Sequence, residues 1–119
     1  MAYIYKITNL VNNKIYIGET IRSLNVRWNE HKHEAFKEGH GYSYPLHNAM
    51  RKYGIENFAI DLIEECDDEK RYERESYYIK KYNSTDNEAG YNLVVEGSGR
   101  ILYSTEDILK YWEKGLGIN

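Results

Sequence analysis

The stretch YIYKITNLVNNKIYIGET, residues 3 to 20, decides the fold. Residues 2 to 8 alternate, with Tyr3, Tyr5 and Ile7 on one face, and residues 14 to 18 alternate with Ile15 and Ile17 opposite Tyr16. Asn12 and Asn13 between them supply turn chemistry, so the segment predicts a β-hairpin. Three of its strand positions are tyrosines. One account is β propensity, because aromatic rings suit a pleated, half-buried surface. The other is that a phenol is held where its proton matters.

Outward from the hairpin, Thr20 or Ser23 can cap a helix running to about Glu38 and closed by Gly39. Its apolar stripe is Leu24, Trp28 and Ala35. Arg27 and His31 fall inside that stripe, within about 60° of Leu24 and one turn apart, so two polar groups face inward. A second helix starts near Pro45, a favoured first helical residue, and carries Leu46, Ala49, Met50 and Tyr53 before Gly54; its role reads as structural. NFAIDLIEEC alternates Phe58, Ile60 and Leu62 as a third strand, followed by an Asp67 cap and a helix over about 68 to 83. Glu75 lies within that helix's apolar stripe, between Tyr72 and Ile79. YNLVV reads as a short extended segment, and a last amphipathic helix over about 105 to 114 carries Ile108, Leu109 and Trp112, expected to complete the core rather than to form a dimer interface. The sum is an α+β fold, a small antiparallel sheet flanked by helices with an extra C-terminal helix, because strands and helices do not alternate from the start.

At 119 residues and 41% hydrophobic, the chain suffices for one core and not two. No run of 18 apolar residues and no basic stretch followed by an apolar core is present, so a soluble, cytoplasmic protein without a membrane partner is expected. The lone Cys66 excludes an internal disulfide or a cysteine metal cluster and reads as a small, at least half-buried thiol. The net charge of −3 argues against nucleic acid until its distribution is considered. Residues 1 to 54 carry a balance of +4 and residues 55 to 119 one of −7, and all four histidines lie between positions 31 and 47. The first half therefore has a candidate basic face, although a solvated mixed surface explains the same charges.

Polar residues on otherwise buried faces, namely Tyr5 or Tyr16, Arg27, His31 and Glu75, must converge on one another, a metal or a ligand, since burying a charge alone costs several kcal/mol. Phosphodiester hydrolysis uses such a set. A forked guanidinium covers the nonbridging oxygens, a hard cation on one carboxylate stabilises the leaving oxygen, and a phenol of lowered pKa activates water. A structural ion pair of Glu75 with Arg27 or Arg71 would account for part of it.

The elements YIY at 3 to 5, YIG at 16 to 18, RWNEH at 27 to 31, ERE at 73 to 75 and GYN at 90 to 92 stand in an order and spacing that closely resemble the GIY-YIG nuclease domain, most of all the catalytic domain of phage group I intron homing endonucleases. The resemblance covers residues 1 to 95, leaving 96 to 119 as a helical extension packed on the same domain. It implies a metal-dependent DNA endonuclease with a three-stranded antiparallel sheet, and a phage or mobile-element origin acting in a host cell. Tyr5 would deprotonate the attacking water or orient it on the metal. Tyr16 would support that base and the scissile phosphate, and Arg27 would bind the phosphate. His31 would assist proton transfer or contact phosphate, Glu75 would be the single protein ligand of Mg²⁺ or Mn²⁺, and Asn92 would brace the site.

Two departures stand out. Tyr3 replaces the first glycine of the family tripeptide, and EGHGYSYP places Gly41 where the homing branch has a further histidine, with His40 one residue earlier and without an assigned role. Tyr3 itself reads as packing. Tyr3 and the acidic second half also fit a catalytically inactive DNA-binding module of the same fold, and a purely protein-binding domain fits the polar set least. Only 27 residues follow Asn92. Sequence selection is therefore expected to be poor, borrowed from a targeting protein, or supplied by self-association as a homodimer.

Overall fold

A computed structural model of the chain describes residues 1–37 and 45–93. His40 and the helix expected over 105 to 114 lie outside the described residues. The elements are β1 (Ala2–Asn9), β2 (Ile15–Thr20), α1 (Leu24–Ala35), α2 (Pro45–Tyr53), β3 (Phe58–Cys66) and α3 (Arg71–Tyr82). The strands form one antiparallel sheet in the order β2-β1-β3. The expected α+β architecture with a three-stranded sheet is what the chain adopts.

The hairpin turns through Asn13, whose φ of 64° is tolerated because a short polar side chain adopts the left-handed region more readily than most. The Asn9 amide closes the turn on the Lys14 carbonyl at 2.9 Å. β1 is the central strand and helices cover both of its faces. Tyr5, Ile7 and Tyr16 pack with Ala35 of α1, Leu46 and Met50 of α2 and Phe58 of β3. Ile4, Ile15 and Ile17 pack on the opposite face with Ile79 of α3. Alternation in the hairpin thus sorts residues between two cores rather than between core and solvent.

β3 departs from simple alternation. Ile4 pairs with Glu64 but Tyr5 pairs with Leu62, leaving Ile63 as an extra residue. The bulge turns the second half of β3 over. Phe58 and Ile60 join the face of Tyr5, whereas Ile63 and Cys66 join the α3 face. Glu64 also meets α3, where Arg74 donates from Nε and an Nη at 2.7 and 2.8 Å and the Tyr78 hydroxyl donates at 2.8 Å.

Several boundaries differ from the periodic expectation. Ser23, not Thr20, caps α1, its hydroxyl accepting from the Val26 amide, and the helix ends at Ala35 rather than Glu38. α3 is preceded by a 3-10 turn, Asp68–Lys70, and closed by Asn83 at φ 54°. The segment expected to be extended at 91 to 95 contains no strand over its described residues, and instead lies along β2. The Ile15 amide donates to Ala89 O at 3.1 Å, and the Tyr91 amide donates to Ile15 O at 2.9 Å.

Two predictions follow from this packing. Tyr5 faces Gly18 across the hairpin, and a Cβ at Gly18 would lie 2.4 Å from the Tyr5 ring and hydroxyl. Gly18→Ala should cost about 1–3 kcal/mol by displacing a fully buried ring, measured by urea denaturation. The second concerns Glu64, whose carboxyl is held below the usual range by the Arg74 hydrogen bonds and further by Tyr78. A lowered folded pKa contributes stability above the ordinary glutamate value, near 4.3, and loses it as pH falls through the folded value. Glu64→Gln should therefore lower the melting temperature by about 3 °C at pH 7, and the gap should close towards pH 3.

Candidate active site

The inward turn of Arg27 and His31 is the decisive local feature of α1. Both are buried, at 8% and 0% exposure, whereas the apolar residues Leu24 and Trp28 are only half-buried. Position on the helix rather than side-chain polarity sets this burial, because Ser23 fixes where the helix starts and hence which stripe meets the sheet.

His31 lies over the face of the hairpin that carries the two tyrosines. Its Nε2 is 2.8 Å from the Tyr5 hydroxyl, and its ring stands edge-on to Tyr16 with centroids 5.7 Å apart. The Tyr5 and Tyr16 rings are 6.4 Å apart. The space for Tyr5 is the missing side chain of Gly18, so the second tripeptide contributes a glycine as well as a phenol.

The other nitrogen of His31, Nδ1, is 3.1 Å from Nε2 of His47. His47 lies on α2, is 2% exposed and belongs to the same buried group. Sequence reading missed it. α2 presents Leu46, Ala49, Met50 and Tyr53 as a conventional stripe, and His47 is at its margin, three residues before Met50. A histidine at a buried helical margin, opposite another helix that also turns a histidine inward, was the available signal.

Arg27 opens the cluster to solvent. It lines a cleft of about 300 Å³ with Glu19, Thr20, Ile21 and Arg22 from the end of β2 and beyond, Glu30 of α1, and Arg71 of α3. Arg71 is 3.3 Å from Glu19, and Glu30 is shared by Arg27 at 3.4 Å and by Arg22. Three guanidinium groups against two carboxylates leave the cleft cationic within an acidic chain. Arginine forks match the oxygens of a phosphodiester.

Glu75 is fully buried on α3, one turn after Arg71 and one before Ile79. Its carboxylate offers the hard oxygen donors that Mg²⁺ or Mn²⁺ takes, and such ions commonly keep one or two carboxylates with water and phosphate as remaining ligands. Among the described residues no group of three or more His, Cys, Asp or Glu could hold a metal. A site supplied by one carboxylate fits this donor set.

Asn92 acts on β2 from outside. Its Oδ1 accepts from the Ile17 amide and its Nδ2 donates to the Ile17 carbonyl, both at 2.9 Å. The side-chain amide thus pairs the outer edge of β2 as a neighbouring strand would, one residue from Tyr16 and one from Gly18.

Of the six expected site residues, contacts join Tyr5, Tyr16 and His31 directly. Arg27 follows on the same helix and Asn92 grips the strand that carries Tyr16, whereas Glu75 is buried on α3, which packs on the opposite face of the sheet from Tyr5 and Tyr16 and brings Arg71 to the cleft.

Comparison with known proteins gives this arrangement a family. The GIY-YIG catalytic domain model matches residues 1–92. Intron-associated endonuclease 1 of Enterobacteria phage T4 is 37% identical over 92 residues, which cover 76% of this chain and 36% of that protein. Protein 019R of Invertebrate iridescent virus 6 is 33% identical over 95 residues, 77% of this chain and 33% of its own. The catalytic domain of homing endonuclease I-TevI matches in structure with a TM-score of 0.64 at 32% identity, covering 77% of this chain and 97% of that one. The chain spans between about a quarter and a half of the length of the curated relatives it matches. With its fold, its two tripeptides on paired strands and a match through Asn92, the chain belongs to the GIY-YIG catalytic domain family.

Proposed function

We propose that this domain is a metal-dependent DNA endonuclease that hydrolyses phosphodiester bonds. The observation that carries the reading is the hydrogen bond of 2.8 Å between the Tyr5 hydroxyl and His31, made where both are removed from solvent, on the helix whose Arg27 lines a cationic cleft. A solvated tyrosine is a poor base at neutral pH, since its pKa is near 10. A tyrosine whose proton already has an acceptor is a usable one.

In this reading Tyr5 takes the proton of the attacking water, with His31 as the acceptor beside it. Tyr16 lies against His31 and supports the base from the adjacent strand. Arg27 holds the nonbridging oxygens of the scissile phosphate, and the negative charge that builds there is best met by a donor already in place. Glu75 would hold Mg²⁺ or Mn²⁺, which when bound supplies charge neutralisation at the leaving oxygen. Asn92 keeps the β2 edge from fraying, so Tyr16 and Gly18 stay in register with Tyr5.

Supercoiled plasmid nicking with Mg²⁺, Mn²⁺ or EDTA tests the reading. Nicking should require the ion, and Glu75→Ala should reduce it by about 10³-fold or more while the melting temperature stays within a few degrees. Tyr5→Phe, which removes only the hydroxyl, should lose about 10²- to 10⁴-fold. Salt-sensitive DNA binding without nicking under any ion would establish the inactive binding module instead.

A further inference from the structure

His47 is a buried titratable group for which water activation by Tyr5 and His31 alone has no use. The two imidazoles meet edge-on, with centroids 5.4 Å apart and the His31 Nδ1 to His47 Nε2 distance at 3.1 Å, and they come from different helices. We infer that His47 is a positioning residue that accepts the Nδ1 proton of His31, and so fixes the His31 tautomer whose Nε2 is free to receive the proton of Tyr5. This rests on the reading of Tyr5 as the base.

The inference follows from counting protons. A neutral imidazole has one N–H and one lone pair, so the two bonds of His31 must run in the same direction. In one arrangement His47 donates to His31 and His31 donates to Tyr5; Nε2 is then already protonated and cannot take anything from the phenol. In the other, the Tyr5 O–H donates to Nε2 and the Nδ1–H donates to His47. Only the second leaves the Tyr5 lone pairs directed away from His31, ready for water. Free histidine mildly favours the Nε2–H form, so the second arrangement needs an acceptor at Nδ1, and His47 is the side chain the structure places there.

The reacting step then balances without an accumulated phenolate. One O–H bond of water breaks as a new one forms on Tyr5, while the original Tyr5 O–H proton passes to His31 Nε2. The electron pair freed on the water oxygen forms the new bond to phosphorus. The bond to the leaving oxygen breaks, and that oxygen keeps the pair and takes a proton from solvent. His31 ends as imidazolium, with its Nδ1–H held by His47. His47 itself lies in the first turn of α2, where the helix dipole disfavours a positive charge. The charge therefore rests on His31, and His47 serves as a neutral acceptor. The arrangement parallels the group that orients the histidine of a hydrolytic triad, with an imidazole in place of a carboxylate.

The test is nitrogen-15 NMR of the histidine side chains in the metal-free protein, which reports the tautomer directly, alongside nicking rates. His31 should appear as the Nδ1–H form. His47→Phe, which keeps a ring and removes the acceptor, should shift His31 towards Nε2–H and slow nicking about tenfold or more. His47→Gln, whose amide oxygen can accept the same proton, should restore the Nδ1–H form and most of the rate. A wild-type His31 in the Nε2–H form overturns the inference. So does a Gln variant that is folded by its melting curve and shows the wild-type tautomer yet nicks as slowly as the Phe variant. Absence of wild-type nicking would instead remove the Tyr5 base, and the tautomer spectrum would still judge His47 separately.

Discussion

The arrangement of the molecule depends on one close contact, the Tyr5 ring lying in the space that Gly18 leaves open on the facing strand. Hairpin register brings those two residues opposite each other, and without a side chain at Gly18 the ring can lie across β2. From there its hydroxyl reaches the underside of α1 and finds His31. A buried phenol and a buried imidazole would each be costly if unpaired, and the pairing removes both costs at once. The orientation of α1 follows, since the helix is held to the sheet by polar as well as apolar contacts. Arg27, one turn earlier, is thereby delivered to the cleft.

β2 carries both Tyr16 and Gly18, and it is one of the two outer strands of the sheet. An outer strand exposes unpaired amides and carbonyls and frays more readily than a central one. Here residues 89 to 92 run along that edge, with Asn92 substituting its side-chain amide for a strand partner at Ile17. Rigidity at the site is thus supplied by chain far from the hairpin in sequence. The requirement is strict because a slip of one residue would send Tyr16 to the opposite face and put a bulky side chain against Tyr5.

Much of this was legible in the amino-acid sequence, for identifiable reasons. Alternation in residues 2 to 8 and 14 to 18 located the hairpin, and helical spacing turned Arg27, His31 and Glu75 inward, because both depend only on local geometry. The bulge at Ile63 was not legible. It arises where β3 must satisfy two different cores, and no local pattern distinguishes Ile63 as the extra residue. Gly18 was read as part of a tripeptide, without its reason, since the reason is a ring thirteen residues away in sequence. His47 escaped for a similar cause: its partner is on another helix, and its position at the margin of an apolar stripe looks the same whether it faces a core or a histidine. The segment after Gly90 was read as extended, but that it would meet the edge of β2 through one parallel bridge at Ile15 and the Asn92 side chain was not legible, because both partners are more than seventy residues away in sequence.

The chain's net charge of −3 and the cationic character of its cleft are compatible because they act at different ranges. At physiological ionic strength the Debye length is about 8 Å, so a phosphate in the cleft responds chiefly to Arg22, Arg27 and Arg71 and little to acids on distant surfaces. Glu19 and Glu30 are within that range, paired with the same arginines. They hold the guanidinium groups in place when no anion is bound, and an arriving phosphate must compete with them. The cleft is thereby preorganised while its affinity for any one phosphate is moderated. Such balance would suit the hydrolysis proposed above, whose charged product has to leave, and in that reading tight or selective DNA binding falls to contacts outside this cleft.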